Sequence, residues 1–178
     1  MSNVTSLALG MSLRDLDVLI VDDSAKMRYL VRVILQSFGL TRFRQASDGT
    51  TALAEIERTL PSLIISDWEM GPMNGFEFIQ TVRSVSREPL CFVPIIVLTG
   101  HASKPLIQQA FAAGATQLLV KPVTPANLLQ RLNWVLADAR PFMRVGDIYR
   151  QQMTIDQPPP AAAGAVLDTQ SDDVWSLD

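Results

Sequence analysis

Short apolar runs alternate with amphipathic stretches from residue 15 to residue 139. Val18-Leu19-Ile20-Val21 is unbroken and β-branched, as a strand buried on both faces requires. The next stretch, 25–38, carries Met27, Leu30, Val31, Ile34, Leu35 and Phe38 on one stripe and predicts a helix stopped by Gly39. The pattern then repeats. Strands are predicted at 41–46, 63–66, 94–98 and 117–120, and helices at 48–60, 76–85, 104–113 and 125–139. The 41–46 run is the most polar and so is assigned to a sheet edge. Pro61 and Gly114 punctuate helix ends, and Pro125 suits a first helical turn. Five βα units in succession predict an α/β domain with a parallel sheet covered by helices on both faces.

Beyond residue 140 this regularity fades. The stretch 140–154, with Pro141, Phe142, Tyr149 and three Arg, either packs back on the domain or extends the last helix. Pro158-Pro159-Pro160 and the Ala/Gly run after it read as a linker. The expected organisation is a flexible leader over 1–14, a domain over 15–139, and a C-terminal extension over 140–178 with an acidic, disordered tail.

Charge sharpens this division. The formal net charge is −3, yet five Asp and no base follow residue 155, so that stretch carries −5 and the remainder +2. No Lys/Arg-rich block occurs, and no nucleic-acid partner is expected. The single cysteine, Cys91, excludes an internal disulfide and reads as a small buried hydrophobe. The longest uncharged run that reads as buried, around Pro94, is too short to span a bilayer, and the first residues lack the pattern of a secretory signal. A cytoplasmic protein is expected.

The candidate chemistry follows from the sheet. Ligands of open parallel sheets bind beyond the carboxyl ends of the strands. At those ends stand Asp22-Asp23, Asp67, Thr99 and Lys121, the last followed by Pro122. Taken singly each has a bland reading: Asp23 as a helix cap, Thr99 in a turn, Lys121 as a solvated charge. Together they fall at the same end of four strands. Carboxylates gathered there repel by about 4 kcal/mol per close pair at an effective dielectric near 20, which a hard divalent cation, best Mg²⁺, would relieve. Asp67 is then a nucleophile able to accept a phosphoryl group as an acyl phosphate, with Lys121 and Thr99 to hold its oxygens.

The stretches VLIVDDSAKMR, LIISDWEMGPMNG, PIIVLTG and GATQLLVKP resemble the receiver domain of response regulators, CheY-like and of the stand-alone, single-domain type. The resemblance spans about 17–139. It implies a doubly wound, flavodoxin-like (βα)5 fold with strand order 2-1-3-4-5. It also implies Asp22, Asp23, Asp67 and the backbone carbonyl of Glu69 as Mg²⁺ ligands, and Asp67 as the phosphoacceptor served by Thr99 and Lys121. The Lys121–Pro122 bond is expected to be cis, and Gly75 stands where the family has glycine. The implied function is that of a two-component phosphorelay protein, not an enzyme. It would take phosphate from a sensor histidine kinase or histidine phosphotransfer protein and signal by phosphorylation-dependent contacts with a downstream protein.

Two departures stand out. Leu118 occupies the switch position, three residues before Lys121, where receivers usually carry Tyr or Phe. Glu69 adds a negative charge two residues after the acceptor and is expected to alter the phosphate's lifetime. His101, the only histidine, reads as solvent-facing, and Trp68 as a partly exposed rim residue. Trp175, among the tail acids, is either part of an acidic end without structure or the anchor of a docking segment. Two rival functions fit less well. A flavin phosphate would be repelled by Asp22-Asp23. Phosphatases of the haloacid dehalogenase type usually have Asp, not Glu, two residues after the nucleophile.

Overall fold

The structure, a computed structural model, describes residues 12–152. Most of the expected leader and the tail with Trp175 lie outside the described residues.

Strand β1 (Asp17–Val21) is followed by helix α1 (Ala25–Ser37), β2 (Arg42–Ala46), α2 (Gly49–Arg58) and β3 (Leu63–Asp67). Then come α3 (Gly75–Arg83), β4 (Ile95–Thr99), α4 (Lys104–Ala113), β5 (Gln117–Val120) and α5 (Pro125–Ala137). The five strands form one parallel sheet in the order β2-β1-β3-β4-β5. The polar strand β2 is at an edge, and α4 and β5 have the boundaries expected from sequence.

Side-chain alternation divides the core. Leu19, Val21, Ile64, Ile95 and Val97 point to the side covered by α2, α3 and α4. Val18, Ile20, Ile65, Ile96 and Leu119 point to the side of α1 and α5. Every residue of β3 and β4 is buried, which explains why these strands read as unbroken apolar runs. The helices start where a side chain can accept the first free amides: Ser24, Asp48, Asn74, Ser103 and Thr124 each cap one. At Asp48, hydrogen bonds led by the Thr51 amide hold the carboxyl below the usual range.

Helix α5 ends at Ala137, two residues short of the sequence reading, so it does not continue into the extension. Residues beyond it turn back as an antiparallel hairpin of β6 (Phe142–Val145) and β7 (Ile148–Gln151), closed by Gly146 at φ +64°. The hairpin packs at the pole of the sheet opposite the strand ends named above. Ser84 bridges Ile148, and Phe142 and Tyr149 lie 5.6 and 4.9 Å from the Phe92 ring centre.

Beneath it lies Arg83, fully buried. Its guanidinium donates to the carbonyls of Gly114 (2.8 Å), Cys91 (2.7 Å) and Val93 (2.7 Å), with the Phe142 ring 5.0 Å away. Burial pushes its pKa down to about 9, still cationic at neutral pH. Cys91 is fully buried and its thiol is pushed up to about 11 by burial, as befits a packing residue.

Candidate functional site

Parallel pairing aligns the strand ends. Val21 stands opposite Ser66, Asp67 opposite Leu98, and Thr99 opposite Val120. Asp22, Asp67, Thr99 and Lys121 therefore emerge at one rim. Lys121 Nζ is 3.0 Å from Asp67 Oδ1 and 3.3 Å from Asp22 Oδ2. One carboxylate oxygen from each of Asp22, Asp23 and Asp67 lies within 4.8 Å of the other two. Asp22 and Asp67 are 1% and 4% exposed, whereas Asp23 is open to solvent. Three hard oxygen donors with one open side suit a small divalent cation that keeps some of its waters.

The titrations reflect this crowding. Burial raises the Asp67 pKa, with help from the Asp22 charge and against the Lys121 hydrogen bond. Burial alone would lower the pKa of Lys121. The hydrogen bonds and charges of Asp67 and Asp22 outweigh it and hold the ammonium above its ordinary value.

Local structure fixes the acids. Asp22 Oδ1 accepts from the Ser24 amide at 2.8 Å, and Arg28 Nη1 donates to the Asp22 carbonyl at 2.6 Å. Arg28 is a brace that the sequence reading missed; its only signal is one helical turn's reach from the acidic pair. The acceptor loop returns so closely that a Cβ on Gly75 would stand 2.6 Å from the Asp67 carbonyl oxygen and 2.7 Å from Trp68 Cα. Glycine is required there by backbone proximity.

Thr99 is fully buried, and its hydroxyl donates to the His101 carbonyl at 3.0 Å, while His101 itself is exposed. Leu118 is buried among the core residues on the α4 side of β5. The Lys121–Pro122 bond is cis. Glu69 is exposed and, with Asp23, Trp68, Phe76 and Gln109, lines an open cavity of about 550 Å³ beside the acceptor. Trp68 is partly exposed there, its ring edge-on to Phe76 at 6.2 Å. Among the described residues no helix is long and apolar enough to cross a membrane.

Comparison with known proteins places this geometry. The family model described as the response regulator receiver domain matches residues 18–133. Chemotaxis protein CheY-3 of Vibrio cholerae serotype O1 is 32% identical over 120 residues, covering 67% of this chain and 91% of the relative. Chemotaxis protein CheY of Pseudomonas aeruginosa is 33% identical over 115 residues, covering 65% of this chain and 91% of its own length. Among solved structures, V. cholerae CheY4 at low pH is 40% identical with a TM-score of 0.60, covering 66% of this chain and 96% of that one. The crystal structure of a putative response regulator from Chloroflexus aurantiacus is 30% identical with a TM-score of 0.62, covering 68% of this chain and 97% of that one. Sequence, sheet order and the acidic rim agree: the chain belongs to the response regulator receiver domain family.

Proposed function

We propose that this protein is a single-domain phosphoryl acceptor of a two-component relay, modified on Asp67 and acting through protein contacts. The observation that carries the proposal is the meeting of Asp67 with Lys121 at 3.0 Å while Asp22 and Asp23 oxygens lie within 4.8 Å. Asp22, Asp23, Asp67 and the Glu69 carbonyl would hold Mg²⁺, which supplies neutralisation of charge on the transferring group.

The chain's own residues do the rest. An Asp67 carboxylate oxygen attacks phosphorus; the new P–O bond forms as the P–N bond to a donor histidine breaks, and the departing imidazole takes up a proton. Lys121, already oriented by Asp67 and Asp22, meets the incoming phosphoryl oxygens as a point charge. Thr99 donates to a phosphoryl oxygen only after giving up the His101 carbonyl, so modification reorganises the loop after β4. With Leu118 at the aromatic position, that reorganisation reaches the surface without a swinging ring. The donor is a histidine kinase or phosphotransfer protein in the cytoplasm. The protein is the substrate of this transfer and not an enzyme acting on small esters.

The test is incubation with Mg²⁺ and acetyl phosphate, followed by intact-mass measurement. Native protein should gain one phosphoryl group, and Asp67→Ala and chelator-treated samples none. An adduct that persists in Asp67→Ala, or repeated turnover of a chromogenic phosphate ester by the native protein, overturns the assignment.

A further inference from the structure

The β6–β7 hairpin lies beyond the stretch that the family model matches. Its inner face packs on the domain. Phe142 and Tyr149 pack on Phe92, and the Tyr149 hydroxyl donates to Glu88 at 2.8 Å. Side chains alternate along a strand, so Met143 and Val145 form the other face with their cross-strand neighbours Arg150 and Ile148. That face is bare. Met143 and Val145 are 47% and 42% exposed, two of the six large hydrophobics so exposed among the described residues. A two-stranded ribbon with one uncovered apolar face is marginal by itself.

We propose that this outer face seats the chain's own acidic segment, residues 172–178, with Trp175 lying across Met143 and Val145. Three observations select this occupant. The first is charge: residues 140–151 contain three Arg and one Asp, whereas 156–178 contain five Asp and no base. The second is chemistry. Asp172 and Asp173 adjoin Val174, Trp175 and Leu177, an apolar-plus-acidic match for an apolar face that also carries Arg150. The third is reach. The described chain ends beside the hairpin, at Gln152. A coil the length of 153–171 spans roughly 24 Å, and a four-residue strand about 13 Å. The segment therefore reaches the face at high effective concentration. Docked, it draws a receiver's extension onto the pole opposite the acceptor.

The experiment is amide hydrogen exchange on the full chain, followed in peptides covering 142–151. The native protein is compared with the triple variant Asp172→Asn/Asp173→Asn/Trp175→Ala, which leaves the hairpin untouched, and with Met143→Ser/Val145→Ser. Hairpin exchange should accelerate about tenfold in the triple variant, as expected for losing a weak contact held at millimolar effective concentration. It should accelerate likewise in native protein at high salt. Equal exchange in native and triple-variant protein overturns the proposal. So does protection that grows with protein concentration, which would make a second copy the occupant.

Discussion

Asp67→Asn should stabilise the metal-free protein at neutral pH. Lys121 at 3.0 Å attracts the Asp67 carboxylate by about 5–6 kcal/mol at an effective dielectric near 20. Asp22, within 4.8 Å, repels it by about 3.5 kcal/mol on the same scale. The exposed Asp23 is screened by water and adds little. That leaves roughly 2 kcal/mol in favour of the ionised form, against several kcal/mol for desolvating a carboxylate whose side chain is 5% exposed. The balance, about 1–2 kcal/mol against ionised Asp67, agrees in sign with its raised pKa. Asparagine keeps the shape and removes the charge. At a few degrees per kcal/mol for a domain of this size, the midpoint of thermal unfolding should rise by about 3–8 °C in chelator at pH 7. The pH dependence has a definite sign. A folded-state pKa raised above the ordinary 3.8 means the fold binds this proton more tightly than the unfolded chain does. Native stability is thus lost as pH rises from about 3.8 through the raised value, whereas the variant lacks this loss. Circular-dichroism melts in chelator across acid to neutral pH measure the gap, which should open with rising pH and narrow when Mg²⁺ is added to the native protein. An Asp67→Asn midpoint at or below the native one at pH 7 would refute the reasoning.

Gly75→Ala should cost about 1–3 kcal/mol, because the new methyl meets backbone atoms of the acceptor strand that cannot rotate away; urea unfolding reads the loss, and unchanged stability would remove the close-approach argument. Glu69→Ala should shorten the lifetime of the phosphorylated form, because the native carboxylate repels or misplaces attacking water; identical dephosphorylation rates in the two proteins would end the idea. Phe142→Ala should destabilise by about 1–3 kcal/mol, less than for a core phenylalanine because the ring it removes is partly buried, though it contacts both Phe92 and Arg83; denaturant melts showing no loss would detach the hairpin from the fold's stability.

Much of the fold was legible because parallel strands buried on both faces leave continuous apolar runs, as at 63–66 and 95–98, and because residues such as Gly114 mark helix ends. The acidic rim was legible for a topological reason: parallel strands put all their carboxyl ends together, so residues 22, 67, 99 and 121 had to converge once the order was right. The hairpin at 142–151 was not decided by sequence, since its four-residue strands mix apolar and charged residues and its inner face exists only against Phe92 and Arg83. Arg83 gave no signal either, because a lone arginine at a helix end reads as a solvated charge. Its burial depends on carbonyls from Cys91, Val93 and Gly114, which lie on two separate segments brought together only by folding. The engagement of Thr99 with His101 was equally invisible, since it depends on the loop after β4 turning its backbone back onto the hydroxyl.

The buried guanidinium of Arg83 ties three segments together at the pole opposite the acceptor. One cation pins the end of α3, the approach to β4 and the turn after α4, and an aromatic lid closes over it. Any of these segments that shifted would strand a charge without ligands. If Asp67 is modified as proposed, the resulting rearrangement should fall in the loops around Thr99 and Glu69, where a partner would read it, rather than at the pole that Arg83 holds together.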